Sequence, residues 1–70
     1  MRMETVNSSN ISAVGYDSQC DIMHVKFNNG SVYAYFNVPE NIFYDLVHAN
    51  SPGSYHHSFV KYRYKYARIV

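Results

Sequence analysis

The fold is decided by residues 22–38, which read IMHVKFNNGSVYAYFNV. In the first part of this stretch, apolar residues alternate with His24 and Lys26, which is the period of a half-buried strand. The next three residues, Asn28-Asn29-Gly30, predict a hairpin turn because asparagine and glycine tolerate positive φ. Residues 31–38 are rich in β-forming types, so they predict the returning strand.

The rest of the chain extends this hairpin. Residues 11–16 alternate in the same way and predict a preceding strand, joined to the hairpin by a polar turn at 17–21. Pro39 predicts a switch to helix over about 39–50, with Asn37 and Glu40 at the spacing of a capping box. A shorter helical segment from Ser54 to about Val60 is expected next.

The sequence therefore predicts an α+β domain. A three-stranded antiparallel β-meander over about residues 9–38 is followed by one or two short helices and an extended basic C-terminal segment. The last segment is predicted to be extended because lysine and arginine alternate with tyrosine from Lys61 to Tyr66. The expected core consists of the apolar residues on the inner faces of these elements: Ile11, Val14, Met23, Val25, Phe27, Phe36, Ile42, Phe43, Leu46, Val47, Phe59 and Val60.

The direction of Tyr33 and Tyr35 depends on the length of the hairpin loop. A two-residue loop pairs Val25 with Ala34 and places both tyrosines on the outer face of the sheet. A three-residue loop pairs Val25 with Tyr33 and turns both tyrosines toward the core. Because a shift of one residue exchanges the two faces, the sequence leaves both alternatives open.

Size and composition limit the functions that the chain can have. It has 70 residues, of which 47% are hydrophobic and 17% aromatic, and its net charge is +1. This predicts one globular domain over residues 1–70, and a domain so small often needs a partner subunit. The N-terminus has no signal-peptide pattern and no run is long enough to span a membrane. With Cys20 as the single cysteine, we expect a cytoplasmic protein without disulfides or a membrane partner.

Enzyme chemistry has no support in the motifs. A catalytic nucleophile needs a base held by a third group, and no serine or cysteine here stands in such a context. His56 and His57 are adjacent, so their side chains point apart and are poorly placed to hold one metal ion. We therefore expect a non-catalytic protein with no cofactor and no metal site.

The charge of the chain is uneven. Residues 46–70 contain four lysines and arginines and no acidic residue, whereas residues 1–45 contain five acidic residues and two basic ones. Basic side chains between tyrosines are typical of surfaces that contact phosphates and stack bases. The same tyrosines could instead pack the sheet against the helices.

Several short motifs, in order, resemble the KTSC domain. They are Ser8-Ser9-Asn10-Ile11, Val14-Gly15-Tyr16-Asp17, Tyr33-Ala34-Tyr35-Phe36, Ser51 followed after one residue by Gly53-Ser54-Tyr55, and the series Val60, Lys61, Tyr64, Tyr66, Arg68, Ile69. That domain occurs at the C-terminus of some lysyl-tRNA synthetases and as a free-standing bacterial or phage protein. The resemblance implies a small module of unestablished function that is suspected of binding RNA.

Two functions remain as hypotheses. The first is binding of RNA or other single-stranded nucleic acid through tyrosines and basic residues, with these candidate site residues: Tyr33, Tyr35, Tyr55, Lys61, Arg63, Tyr64, Lys65, Tyr66 and Arg68. The second is a self-assembling interaction module, a homo-oligomer that could bind a nucleotide-like or anionic ligand between its subunits.

Overall fold

A computed structural model describes residues 1–70 and shows one antiparallel sheet of five strands with two helices on its inner face. The strands follow each other across the sheet in chain order. The elements, in chain order, are β1 (Met3–Thr5), β2 (Ile11–Asp17), β3 (Ile22–Phe27), β4 (Val32–Tyr35), α1 (Glu40–Val47), α2 (Pro52–Phe59) and β5 (Tyr66–Arg68).

The predicted meander is present as β2, β3 and β4, but the prediction of three strands was wrong. β1 and β5 are added at the two edges of the sheet. Each has only three residues, which is too short to show a period of two. β5 pairs with β4 after the chain has passed through both helices.

A three-residue loop sets the register of the hairpin. The Phe27 carbonyl accepts the Gly30 N–H, and the Phe27 N–H donates to the Ser31 carbonyl. Gly30 has a φ of 92°, which side chains rarely adopt. Met23 therefore pairs with Tyr35 and Val25 with Tyr33, so both tyrosines share the inner face of the sheet.

Both helices differ from their predicted limits. α1 covers Glu40–Val47 rather than 39–50, and its N-cap is Pro39, not Asn37, with no side-chain hydrogen bond. α2 begins at Pro52 because Ser51 caps it, and the Ser51 hydroxyl accepts the Ser54 N–H at 3.4 Å. Neither helix is long and apolar enough to cross a lipid bilayer.

The predicted extended basic segment is mostly a turn. The Lys61 N–H donates to the His56 carbonyl and the Arg63 N–H to the Val60 carbonyl, so the chain continues to coil after α2. Only Tyr66–Arg68 is a strand. Alternation of charge and tyrosine in residues 61–66 therefore does not sort these side chains onto two faces.

The core forms where the inner face of the sheet meets the helices. It contains eight buried residues: Ile11, Val14, Met23, Val25, Tyr35, Val38, Leu46 and Val60. Six of these are predicted core residues, and Phe27, Ile42, Phe43 and Val47 pack partly buried against them. The predictions for Phe36 and Phe59 were wrong, since these side chains are 36% and 46% exposed. Phe36 follows Tyr35 and so faces outward, and Phe59 lies on the outer flank of α2 against Tyr55.

Candidate functional site

An aromatic pocket of about 380 Å³ opens between β4, β5 and α2. We call it the aromatic pocket. Its lining contains one lysine and no acidic residue. The lining residues are Asn10, Phe27, Asn29, Ser31, Tyr33, Tyr35, Gly53, His56, His57, Lys61, Tyr62 and Tyr66.

Three neighbouring strands supply four of the five phenylalanine and tyrosine rings of the pocket, and the turn after α2 supplies the fifth, Tyr62. Tyr33 and Tyr35 stand two residues apart on β4, so both project from its inner face. Tyr66 of β5 lies beside both, with ring centroids 5.7 Å from Tyr33 and 5.8 Å from Tyr35. Phe27 of β3 meets Tyr33 edge-on at 5.5 Å. The sheet register therefore gathers four rings around one opening.

The floor of the pocket is a hydrogen-bonded pair, Tyr35 and His56. The Tyr35 hydroxyl lies 2.8 Å from His56 Nε2, and both residues are buried. α2 places His56 inward because Pro52, His56 and Val60 are four residues apart and all face the core. The His56 ring also meets Phe27 and Tyr35 edge-on at 5.4 Å each.

Burial keeps both members of this pair uncharged at neutral pH. Burial raises the pKa of Tyr35 to about 12, assisted by the neighbouring Tyr33 and Tyr66. Burial lowers the pKa of His56 to about 4, assisted by the positive charges of Lys61 and His57. Since a phenol is the better donor and a neutral imidazole nitrogen the better acceptor, we assign the hydrogen bond as Tyr35 O–H to His56 Nε2. The imidazole proton is then on Nδ1.

The rim of the pocket is polar and basic. Lys61 follows the end of α2 and lies at this rim, where its Nζ is 5.4 Å from the centroid of the Tyr62 ring. Gly53 also lines the pocket, and its lack of a side chain leaves room for Asn10. A Cβ at position 53 would lie 2.5 Å from Asn10 Oδ1, so any side chain there would displace Asn10.

Two shallower clefts adjoin the aromatic pocket. The first is formed by residues 62–66, of which Tyr62 and Tyr66 also line the pocket. The second is lined by hydroxyl, amide and imidazole side chains near the start of α2, and it shares Asn10, Gly53 and His57 with the pocket. We call these three depressions, which share lining residues, the groove.

The structure divides the candidate site residues into three groups. Tyr33, Tyr35, Lys61 and Tyr66 line the aromatic pocket, and Arg63, Tyr64 and Lys65 line the adjoining cleft. Arg68 pairs with Tyr33 across β4 and β5, and its Nε donates to the Val70 carbonyl. Tyr55 lies outside the groove, where it packs against Phe59. Burial raises the pKa of Tyr55, and the nearby Asp45 adds to the shift.

Sequence reasoning missed several residues of the pocket. Phe27 was assigned to the core alone, and His56, Asn10 and Asn29 had no assigned role. One signal could have identified His56, because its spacing from Val60 places both on one face of a helix. No comparable pattern marks the two asparagines, which come from loops distant in the sequence.

Possible metal ligands are scattered over the fold. No three His, Cys, Asp or Glu side chains lie close enough together to hold a metal ion. His24 lies on the outer face of the sheet, His48 stacks on Tyr44 of α1, and His56 is bonded to Tyr35. Cys20 is a free, exposed thiol in the turn between β2 and β3.

Comparisons with known proteins show that this chain is similar to one family of small domains. The family model of the KTSC domain matches residues 7–64. A protein of Tsukamurella paurometabola is 40% identical over 63 residues, which cover 90% of this chain and 94% of that protein. The crystal structure of a KTSC domain protein from Yersinia pestis has a TM-score of 0.91 at 27% identity, covering 99% of this chain and 97% of that one.

A larger protein also contains a similar segment. The lysine–tRNA ligase of Trichormus variabilis is 39% identical over 54 residues. Those residues cover 77% of this chain but only 10% of the ligase. The similarity therefore concerns one small part of the ligase.

Proposed function

The chain belongs to the KTSC domain family, and we propose that it is a non-catalytic module that binds single-stranded RNA, with one unstacked base in the aromatic pocket. The observation that carries the proposal is the pocket itself, which is lined by five phenylalanine and tyrosine rings, one lysine and no acidic side chain. Proteins recognise single-stranded RNA by stacking splayed bases on aromatic rings and by meeting phosphates with cations.

The groove supports binding of a strand rather than of a single nucleotide. Each of the two clefts shares lining residues with the aromatic pocket, so a strand with one base in the pocket can continue into them. Arg63 and Lys65 line one of these clefts, and Lys61 lines the pocket. Cations spaced along the groove fit the repeated phosphates of a nucleic acid strand.

The protonation states of the floor support a binding role without catalysis. General acids and bases work best when their pKa lies near the operating pH. The pKa of His56 is lowered to about 4 and that of Tyr35 is raised to about 12, so neither exchanges its proton readily near pH 7.

The relation to a ligase that acts on a lysine tRNA supports RNA as the partner. It is an association between proteins and carries less weight than the site. A cytoplasmic location is part of the proposal, since RNA is present there and the exposed Cys20 thiol would stay reduced.

A substitution at Tyr66 tests the proposal. Its ring is 57% exposed, so Tyr66→Ala removes a stacking surface without opening a cavity in the core. We expect binding of a fluorescent RNA of about ten nucleotides to weaken by about 1–3 kcal/mol, the contribution of one stacked base. Fluorescence anisotropy at low salt measures this change.

Tyr44→Ala is the matched control. The Tyr44 ring is 59% exposed on α1 and stacks on His48, away from the groove. Its loss should leave RNA binding unchanged. Absence of binding by the folded wild type would contradict the proposal, and so would equal losses in the two variants.

Self-association is the second candidate, supported by the outer face of the sheet. The Met1 and Met3 side chains cover Gly15 on that face, and Met3 and Phe36 at its borders are each 36% exposed. Two copies could stack these faces about 10 Å apart, as in a β-sandwich. Sedimentation velocity tests this, with Phe36→Lys expected to dissociate the oligomer. A wild-type mass equal to one chain at all concentrations would refute it.

A further inference from the structure

Several nitrogen-bearing side chains around the aromatic pocket use their acceptor atoms inside the protein, and this leaves their N–H groups for a ligand. Asn29 shows the arrangement most clearly. Its Oδ1 accepts the Ser31 N–H at 3.0 Å and the Ser31 hydroxyl at 2.7 Å. A backbone N–H can only donate, so this atom is the amide oxygen and the free group of Asn29 is its NH2.

The side chain of Asn10, which also lines the pocket, is oriented in the same way. The Ser8 hydroxyl oxygen accepts the backbone N–H groups of Asn10 and Ile11. Its single proton therefore goes to Asn10 Oδ1, which lies 3.0 Å away. The amide NH2 of Asn10 has no partner in the protein, so it is free to donate.

His56 supplies a third donor at the floor. Its hydrogen bond to Tyr35 occupies Nε2. No buried side-chain nitrogen or oxygen in the structure lacks a partner, so the unpaired Nδ1 reaches solvent where the ring lines the pocket. With Tyr35 donating to Nε2, the atom on the pocket side is an N–H.

Lys61 adds a fourth donor, and its ammonium group cannot accept a hydrogen bond. The hydroxyls of Tyr33, Tyr62 and Tyr66 can serve in either role, whereas the Ser31 and Tyr35 oxygens, whose protons go to Asn29 and His56, can only accept. The four nitrogen groups described above are all donors, so where a ligand meets them it must offer acceptors.

From this donor set we infer that the aromatic pocket prefers a keto base, uracil or guanine, over an amino base, cytosine or adenine. The inference rests on the proposed binding of single-stranded RNA. Uracil and guanine present a carbonyl oxygen where cytosine and adenine present an amino group. An amino group opposite fixed N–H donors leaves donors facing donors without a hydrogen bond, whereas a carbonyl oxygen accepts from them.

The test compares cytidine decamers that carry one central uridine, guanosine or adenosine with the unsubstituted decamer. Dissociation constants are measured by fluorescence anisotropy at one pH and salt concentration. We expect uridine and guanosine to tighten binding about two- to tenfold, the effect of one neutral hydrogen bond. Adenosine should give no such gain. Because the comparison is a ratio between ligands, a partly unfolded preparation does not change it.

Two variants test the donors themselves. Asn29→Asp keeps an oxygen for Ser31 but replaces the free NH2 with a second oxygen, so the preference for uridine and guanosine should fall or reverse. Asn41→Asp makes the same change of charge at an exposed position on α1 and should leave the ratio intact. Tyr35→Phe removes the hydroxyl that fixes the His56 proton on Nδ1, so it should also reduce the ratio.

The outcomes separate this inference from the function on which it rests. If none of the four RNAs binds, the proposed function fails and the inference fails with it. Equal binding of the four RNAs, or tighter binding of the adenosine form, would leave RNA binding intact and overturn the keto preference. A ratio that is unchanged in both Asn29→Asp and Tyr35→Phe would also overturn it.

Discussion

His56 should make the stability of the protein depend on pH. Its pKa is about 4 in the folded protein, below the ordinary value of 6.5 for an exposed histidine. Between these values the unfolded chain binds a proton that the folded protein does not. The free energy of unfolding should therefore be highest above about pH 6.5 and should fall as the pH is lowered toward 4. Thermal unfolding followed by circular dichroism across this range measures the effect.

The contribution of His56 is isolated by comparing two variants. His56→Gln removes the titrating group, so its Tm should depend less on pH than that of the wild type. His24→Gln removes a histidine on the outer face of the sheet, which does not contribute to the lowered pKa of His56, and should keep the wild-type dependence. Equal pH profiles for the wild type and His56→Gln would show that His56 does not carry the effect.

Individual residues of the site could be predicted only where the sequence gives a local pattern. Tyr33, Tyr35 and Lys61 stood out because they lie in tyrosine-rich or basic stretches. His56 became part of the site through a hydrogen bond across 21 positions, which no local pattern shows. The role of Asn29 depends on which of its amide atoms Ser31 binds, and that requires coordinates.

At the level of elements, we predict that loss of the N-cap of α2 destabilises the protein. Ser51 caps this helix by accepting the Ser54 N–H, so Ser51→Ala should destabilise the protein by about 0.5–2 kcal/mol. Asn37 is the control before α1. It makes no cap there and has a φ of 56°, which glycine adopts freely, so Asn37→Gly should cost little. Urea unfolding measures the free energy of unfolding of the two variants and the wild type. A larger loss of this free energy in Asn37→Gly than in Ser51→Ala would contradict the assigned caps.

The sequence predicted the longer strands better than the short ones, because a longer strand shows more of its alternating pattern. β2 and β3 have seven and six residues, which is enough for alternation to show, and the hairpin was recognised from Asn28-Asn29-Gly30. The register was left open because it depends on whether Asn28 joins the loop. The segment 61–65 was wrongly predicted to be extended because alternation of lysine and tyrosine imitates a strand, whereas hydrogen bonds to the His56 and Val60 carbonyls coil its first residues.

For the whole molecule, the distribution of charge should determine how salt affects RNA binding. The net charge is only +1, but the aromatic pocket and the cleft beside it contain no acidic side chain. Lys61, Arg63 and Lys65 line them, and a fourth cation, Arg68, lies on β5 beside Tyr33 of the pocket. If all four meet phosphates, the logarithm of the binding constant should fall with the logarithm of salt with a slope of about −3, since each contact with a single strand contributes about −0.7.

Combined replacement of Lys61, Arg63 and Lys65 by alanine should flatten that slope by about 2 units, because three phosphate contacts are lost. Lys26→Ala is the matched control, since Lys26 lies on the outer face of the sheet, across from the groove. Its removal lowers the net charge without removing a contact, so the slope should stay near the wild-type value. A similar flattening in the triple variant and in Lys26→Ala would mean that binding depends on overall charge. That result would contradict the proposal that RNA binds along the groove.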